Sequence, residues 1–126
     1  MATKSVITKI RRKKMAEASH TTGKIAKITR IALGSGGVDA NRKVIEPLPE
    51  NVRLKHEVIR KPYTSSTKVS ETSYEYVIKL EENELIGVEI SEMALIDEDG
   101  DVAAFSNFLA KGKDETEVTF TIEDNY

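Results

Sequence analysis

The clearest alternation in the chain lies near its C-terminal end, where Val118, Phe120 and Ile122 are interleaved with Glu117, Thr119, Thr121 and Glu123. A period of two predicts a strand over residues 116–123 with one apolar and one wet face. The same period sets Tyr74, Tyr76, Ile78 and Leu80 against Glu75, Val77 and Lys79, a second half-buried strand. Val88 and Ile90 open a third, but the apolar set then moves to Met93 and Leu95. A period of two cannot change phase without an extra residue, so a β-bulge or bend is expected near Ser91-Glu92. Asp99-Gly100 separates this strand from another over residues 102–109, the strongest short-range hairpin signal in the chain.

The N-terminal third follows a different rhythm. Val6, Ile7, Ile10, Met15 and Ala18 fall near helical spacing among good helix formers, which predicts a helix over residues 5–20 with Thr3 or Ser5 as its N-cap and the Gly23 region as its stop. KIAKITRIAL then predicts a strand that ends in the turn Gly34-Ser35-Gly36-Gly37. Residues 38–51, with Asp39, Asn41, Pro47 and Pro49, show no period and predict a long exposed loop. Loops of this length are uncommon without a task, which marks this one as a candidate contact surface. Residues 52–63 fit helix or strand and are bounded by Pro62, while the Ser- and Thr-rich residues 64–73 fit a hairpin connection. The expected fold is α+β, mainly an antiparallel β-sheet or sandwich with one N-terminal helix laid against it. Its expected core is Ile28, Ile31, Leu33, Ile78, Leu80, Ile90, Leu95, Phe105, Val118, Phe120 and Ile122.

Composition narrows the chemistry. A chain of 126 residues reads as one domain, 1–126, able to bury roughly two-thirds of its unfolded surface without disulfide or metal staples. Zero cysteines exclude a disulfide framework, thiolate catalysis, iron–sulfur clusters and Cys-ligated zinc. No apolar run approaches the ~18 residues of a membrane span, and no apolar stretch follows the N-terminal charges as in a secretory signal, so a soluble protein made in a cytoplasm is expected.

Charge is unevenly spread. Residues 1–30 hold nine bases against one acid, Glu17, a balance of +8; residues 81–126 hold 14 acids against Lys111 and Lys113, a balance of −12. Either the two ends neutralise each other in the fold or each faces its own partner.

Each candidate site has a bland reading beside it. Asp97, Asp99 and Asp101 imitate the start of an EF-hand loop, but Val102 and Phe108 stand where that loop needs Gly and Glu, so a tight, metal-free turn built on Asp99 and Gly100 is preferred. The glycine-rich turn at 34–37 lacks the Gly-Lys-Ser/Thr of a phosphate loop and reads as a flexible turn. No Gly-x-Ser-x-Gly elbow is present, and His20 and His56, the only imidazoles, read as capping or surface residues. No catalytic, metal or cofactor-binding residue is therefore assigned. Arg11-Arg12-Lys13-Lys14 is the serious candidate. Four cations on a helix suit phosphates and make a nucleic-acid-binding accessory protein the alternative reading, but they spread around the helix without interleaved aromatics in an acidic chain. A solvated face or an acidic protein partner is favoured, and reversing all four charges is expected to spare the fold, since exposed pairs contribute only about 0–1 kcal/mol each.

Taken in order, the basic helix, ITRIALGSGG, the loop around EPLPENV and above all ELIGVEISEMALIDEDGDVAAFSNF resemble the N-terminal domain of phage tail-collar fibre proteins. In that family an Ile-x-Glu strand runs into Leu-x-Asp-x-Asp-Gly-Asp; here Ile90, Glu92, Leu95, Asp97, Asp99, Gly100 and Asp101 hold those places. The family's aromatic positions around that strand are replaced by Val88, Ile90 and Met93. The resemblance implies a non-enzymatic structural role at the attachment end of a tail fibre, without cofactors. Its partners would be baseplate proteins of a phage or contractile particle and other fibre subunits, and its state a homo-oligomer with a trimer favoured. Arg11, Arg12, Lys13, Lys14, Pro47 and Pro49 are the candidate contacts, and localisation to the virion tail, without membrane contact, follows.

Overall fold

The structure is a computed structural model that describes residues 2–3 and 5–126, with side chains over residues 5–126. Its elements run β1 (Ala2–Thr3), β2 (Val6–Ile7), α1 (Lys9–Glu17), β3 (Ile28–Gly34), β4 (Glu57–Pro62), β5 (Ser65–Ser70), β6 (Ser73–Leu80), β7 (Glu89–Asp97), β8 (Val102–Gly112) and β9 (Val118–Asn125). The strands form two sheets, ordered β1-β9-β6-β5 and β2-β8-β7-β3-β4, antiparallel apart from the short parallel pair β1–β9. The expected α+β architecture dominated by antiparallel strands is thus the one observed.

Alternation explains where the core lies. Ile31 and Leu33 of β3, Ile90, Met93 and Leu95 of β7, Ile78 and Leu80 of β6, and Phe120 and Ile122 of β9 form one cluster between the sheets. Ala32, Ala94, Ile96, Val102 and Phe105 leave the other face of the five-stranded sheet, where Leu54 closes a second cluster. The second sheet is consequently buried on both sides at β7, whose residues from Ile90 to Asp97 are all buried. Ten of the eleven expected core residues are buried; Phe105 belongs to the outer cluster, and Val118 is only half-buried against the inner one.

The helix start and residues 64–73 differ from expectation, and the open choice at residues 52–63 is resolved, each for a physical reason. Val6 and Ile7 are β-branched and pair with Phe105 and Ala104, so α1 begins only at Lys9, capped by Thr8 in place of Thr3 or Ser5. The helix then loosens into a π-helical turn, Ala18–Thr22, and stops where expected, at Gly23 with φ +67°. Within residues 52–63 the strand reading holds over β4, an edge strand that begins at Glu57 and ends at Pro62 as that residue's missing N–H requires. Residues 64–73 contain the strand β5, not a connection: all six of its residues are exposed, so it carries no apolar period to betray it.

The phase change is confirmed. Pairing of β7 with β8 shifts register between Ile90 and Glu92. The bulge presents Ser91 and Glu92 together to the neighbouring loops, where Ser91 Oγ accepts from Gly37 N at 2.8 Å. Buried Glu92 accepts from Gly36 N, Lys55 N and His56 N at 2.8–2.9 Å. The glycine turn is therefore clamped and not a flexible connection. A Cβ on Gly37 would stand 1.9 Å from Ser91 O, and one on Gly34 2.4 Å from Glu92 Oε2.

Candidate functional site

The helical repeat divides the run of four cations. Residues three and four apart share a helix face, so Arg12 and Lys13 join Lys9, whereas Arg11 and Lys14 join Ala18 on the opposite side. The structure follows this division: Lys9, Arg12 and Lys13 are exposed, Arg11 is 7% exposed and Lys14 is intermediate. Thr8 fixes which side faces inward. Its buried hydroxyl accepts from Arg11 N and donates to Val102 O at 2.7 Å, and its N–H donates to Ala103 O, pinning the first turn to β8.

Arg11 donates through Nη1 to Ala26 O and through Nε to Tyr126 Oη. It thereby ties α1 to the segment before β3 and to the end of β9. Beside it, Asp124 is 4% exposed and accepts from Tyr74 N at 3.1 Å. Burial holds that carboxyl above the usual aspartate range, against the backbone hydrogen bond from Tyr74, Tyr126 and the nearby Arg11 charge, which pull the other way.

Lys14 reaches the β7–β8 hairpin. Its Nζ lies 2.6 Å from Asp97, 3.1 Å from Asp99 and 2.8 Å from Asp101. Burial works against the ammonium, but hydrogen bonds to Asp101, Asp97 and Asp99 outweigh it and hold the group well above the ordinary lysine range. The turn itself is closed by backbone bonds from Gly100 N to Asp97 O and from Asp97 N to Asp101 O, with Gly100 at φ +87°. Asp97, almost fully buried, also accepts from Asp99 N and Asp101 N at 3.0 Å. The three carboxylates converge within 4.8 Å of one another, close enough to hold a cation. The Lys14 ammonium already sits among them, so part of the N-terminal excess charge is neutralised inside the fold.

The expectation that all four charges can be reversed without harm is therefore corrected. Glutamate at position 11 would place a carboxylate against the Ala26 carbonyl, and at position 14 against three carboxylates; only Arg12 and Lys13 are free of structural duty.

The prolines are placed apart. Pro49 O accepts from Lys9 N at 2.7 Å, which sets the loop at the helix N-terminus, and Pro47 lines a groove with Val6, Glu46 and Asn107. His20 and His56 are both exposed. Sequence reasoning did not single out two further braces. Glu92 was placed at the expected bulge and in the Ile-x-Glu pattern but not as a brace, although a carboxylate in the apolar middle of a strand, at the point where its alternation breaks, was a usable signal. Lys113, 3% exposed, donates to Glu82 O and Asp114 O and joins the β6–β7 and β8–β9 loops; nothing in its surroundings in sequence announced this.

Fold and site together define a β-sandwich module whose buried polar side chains brace loops and turns. The model of the family described as phage tail-collar fibre protein, N-terminal, matches residues 1–121, and the chain belongs to that family. This makes it a structural component of a phage tail. No curated protein and no solved structure matches it. Among the described residues no helix is long and apolar enough to cross a membrane.

Proposed function

We propose that this chain is the attachment module of a tail fibre, a non-catalytic part that holds the fibre to the baseplate of a phage or phage-derived contractile particle. The observation that carries the reading is the family match over almost the whole chain. The sandwich supports it by what it spends its polar groups on: Glu92, Arg11, Lys14 and Lys113 brace the frame, and the long loop with Pro47 and Pro49 lies against the helix as a contact surface. Self-association, with a trimer favoured, would cover the polar edge strand β5 and the edge strand β4. The nucleic-acid alternative loses ground because Arg11 and Lys14 are occupied within the fold.

The test is deletion of the module from particles in the producing host. Tails should assemble without fibres when it is absent, and electron microscopy should show fibres restored when the chain is supplied in trans. Fibres at normal occupancy in its absence would defeat the proposal.

A further inference from the structure

Lys9, Arg12 and Lys13 stand at i, i+3 and i+4 on the solvent face of a nine-residue helix. Such neighbours repel when they carry the same charge. The first turn holds no acid, so Lys9, and more weakly Arg12, also oppose the positive end of the helix dipole. Among the described residues none of the three forms an ion pair, although Lys14 on the opposite face is paired three times over. The helix's single acid, Glu17, stands one turn beyond Lys13, yet among the described residues no carboxylate forms an ion pair with the stripe. An arrangement that costs stability in the free chain is relieved when an anionic partner covers it.

We infer that the stripe Lys9, Arg12 and Lys13 is the docking face for an acidic protein surface, which deepens the attachment reading and rests on it. Two neighbouring features shape the partner. Arg12 overhangs a groove of about 230 Å³ formed with Ile7, Met15, Asn125 and Tyr126, fit for an apolar side chain beside the partner's carboxylates. Leu48, half-exposed, lies one residue from Pro49, whose carbonyl receives Lys9 N, and gives the face an apolar margin. The stripe extends only about 6 Å along the helix, four residues at 1.5 Å each. Three cations neutralise about three phosphates, well short of the roughly 6–10 contacts that give steeply salt-dependent nucleic-acid binding, and the acidic remainder of the chain would repel a polyanion extending beyond the stripe. A compact cluster of carboxylates meets neither obstacle.

The experiment uses the full chain with Lys9, Arg12 and Lys13 all changed to Glu, leaving Arg11 and Lys14 in place. Relief of repulsion and of the dipole clash should keep the melting temperature at or above that of the wild type. Incorporation into particles should fall by about tenfold or more, and raised salt should reproduce the loss. Binding of purified wild-type chain to poly-L-glutamate at about 150 mM salt should likewise weaken about tenfold in the variant. A fall in melting temperature, incorporation equal to wild type, or tighter wild-type binding to a DNA duplex than to poly-L-glutamate would each overturn the inference. If the wild type never enters particles, the attachment reading fails alone, and the poly-L-glutamate comparison still decides the chemistry of the stripe.

Discussion

Glu92 is where removal of one side chain should do most harm. Its carboxylate accepts three backbone N–H groups, from Gly36 and His56 at Oε2 and from Lys55 at Oε1, and the residue is 2% exposed. Hydrogen bonds to a charged acceptor contribute about 1.5–3 kcal/mol each, and a buried donor left unpaired costs the desolvation of that group. Glu92→Ala strands all three donors, so about 4–6 kcal/mol is expected after allowing for water entering the gap. A chain of 126 residues holds on the order of 6–19 kcal/mol in total, which makes this substitution close to unfolding. Glu92→Gln is the sharper probe. Its carbonyl oxygen can replace Oε2 and keep two bonds, but its amide then faces the Lys55 N–H, donor against donor. That variant should lose about 2–3 kcal/mol. Urea unfolding followed by far-ultraviolet circular dichroism gives both values from the midpoint, and an unchanged slope would show that the denatured state is not the cause. A loss below about 1 kcal/mol for Glu92→Gln would refute the reasoning, because the loops would then hold without the carboxylate.

Other expectations follow from the same frame. Gly100→Val places a β-branched residue at φ +87° with no neighbouring atom to clash, so pure backbone strain should lower stability by about 1–3 kcal/mol, and calcium should leave the wild-type melting temperature unchanged because the Lys14 ammonium already occupies the space among the three carboxylates; a calcium-dependent rise would contradict this turn. Phe120→Ala should cost roughly 3–5 kcal/mol in thermal or urea unfolding, and a change under about 1 kcal/mol would remove β9 from the core. Because Lys14 titrates higher in the folded chain than its ordinary value of 10.5, its stabilisation is complete below that pH and is lost above it, by up to about 1.4 kcal/mol per pH unit. Burial raises Tyr76 too, which adds loss of the same sign in alkali; Lys14→Met should therefore make the decline above pH 10.5 shallower but not abolish it, and an unchanged slope would show that Lys14 does not carry it. Glu84, held low by the Glu81 backbone N–H and by Lys61, and Asp114, held low by the Thr116 hydroxyl and N–H, contribute stability present above the ordinary carboxylate range and lost as pH falls below it; urea midpoints between pH 5 and 3 should fall, and a flat acid limb would contradict this.

What was legible in the sequence and what was not divides along one physical line. Elements with one dry and one wet face announced themselves: β6 and β9 through alternation, and the β7 bulge through a broken alternation that pairing confirms between Ile90 and Glu92. Gly100 marked its turn because few other residues accept its φ. Elements lacking a dry face stayed silent, and β5 is the example, a strand by virtue of its partner β6 and nothing in itself. The helix start was misplaced because Val6 and Ile7 satisfy a helical spacing as well as a strand, and only the pairing partners Phe105 and Ala104, roughly a hundred residues away, choose between them. The basic run was visible, but its division was not: which side of α1 faces inward depends on Thr8 bonding to Val102 and Ala103.

That division also settles what the lopsided charge can mean. Self-neutralisation would require the N-terminal cations to sit against C-terminal acids, and Lys14 does so against Asp97, Asp99 and Asp101. Asp124 also lies beside Arg11, and Glu98 in the same hairpin, but a second group of acids gathers elsewhere. Glu81, Glu82, Glu84, Asp114, Glu115 and Glu117 lie in or beside the loops before β7 and after β8, whereas α1 lies against the hairpin at the opposite end of those strands. The nine residues of β7 separate the two ends by about 30 Å, several times the ~8 Å screening length at physiological salt. Charges that far apart do not stabilise each other within one chain. Local pairing is therefore complete at Lys14 and has no counterpart for Lys9, Arg12 and Lys13, so partners at the two ends should differ in sign, acidic at the helix and basic at the loops. Reversing Glu82 and Glu115 to Lys should accordingly leave poly-L-glutamate binding at the helix unchanged; a clear strengthening would mean that the two ends act as one field, and the separation argued here would fall.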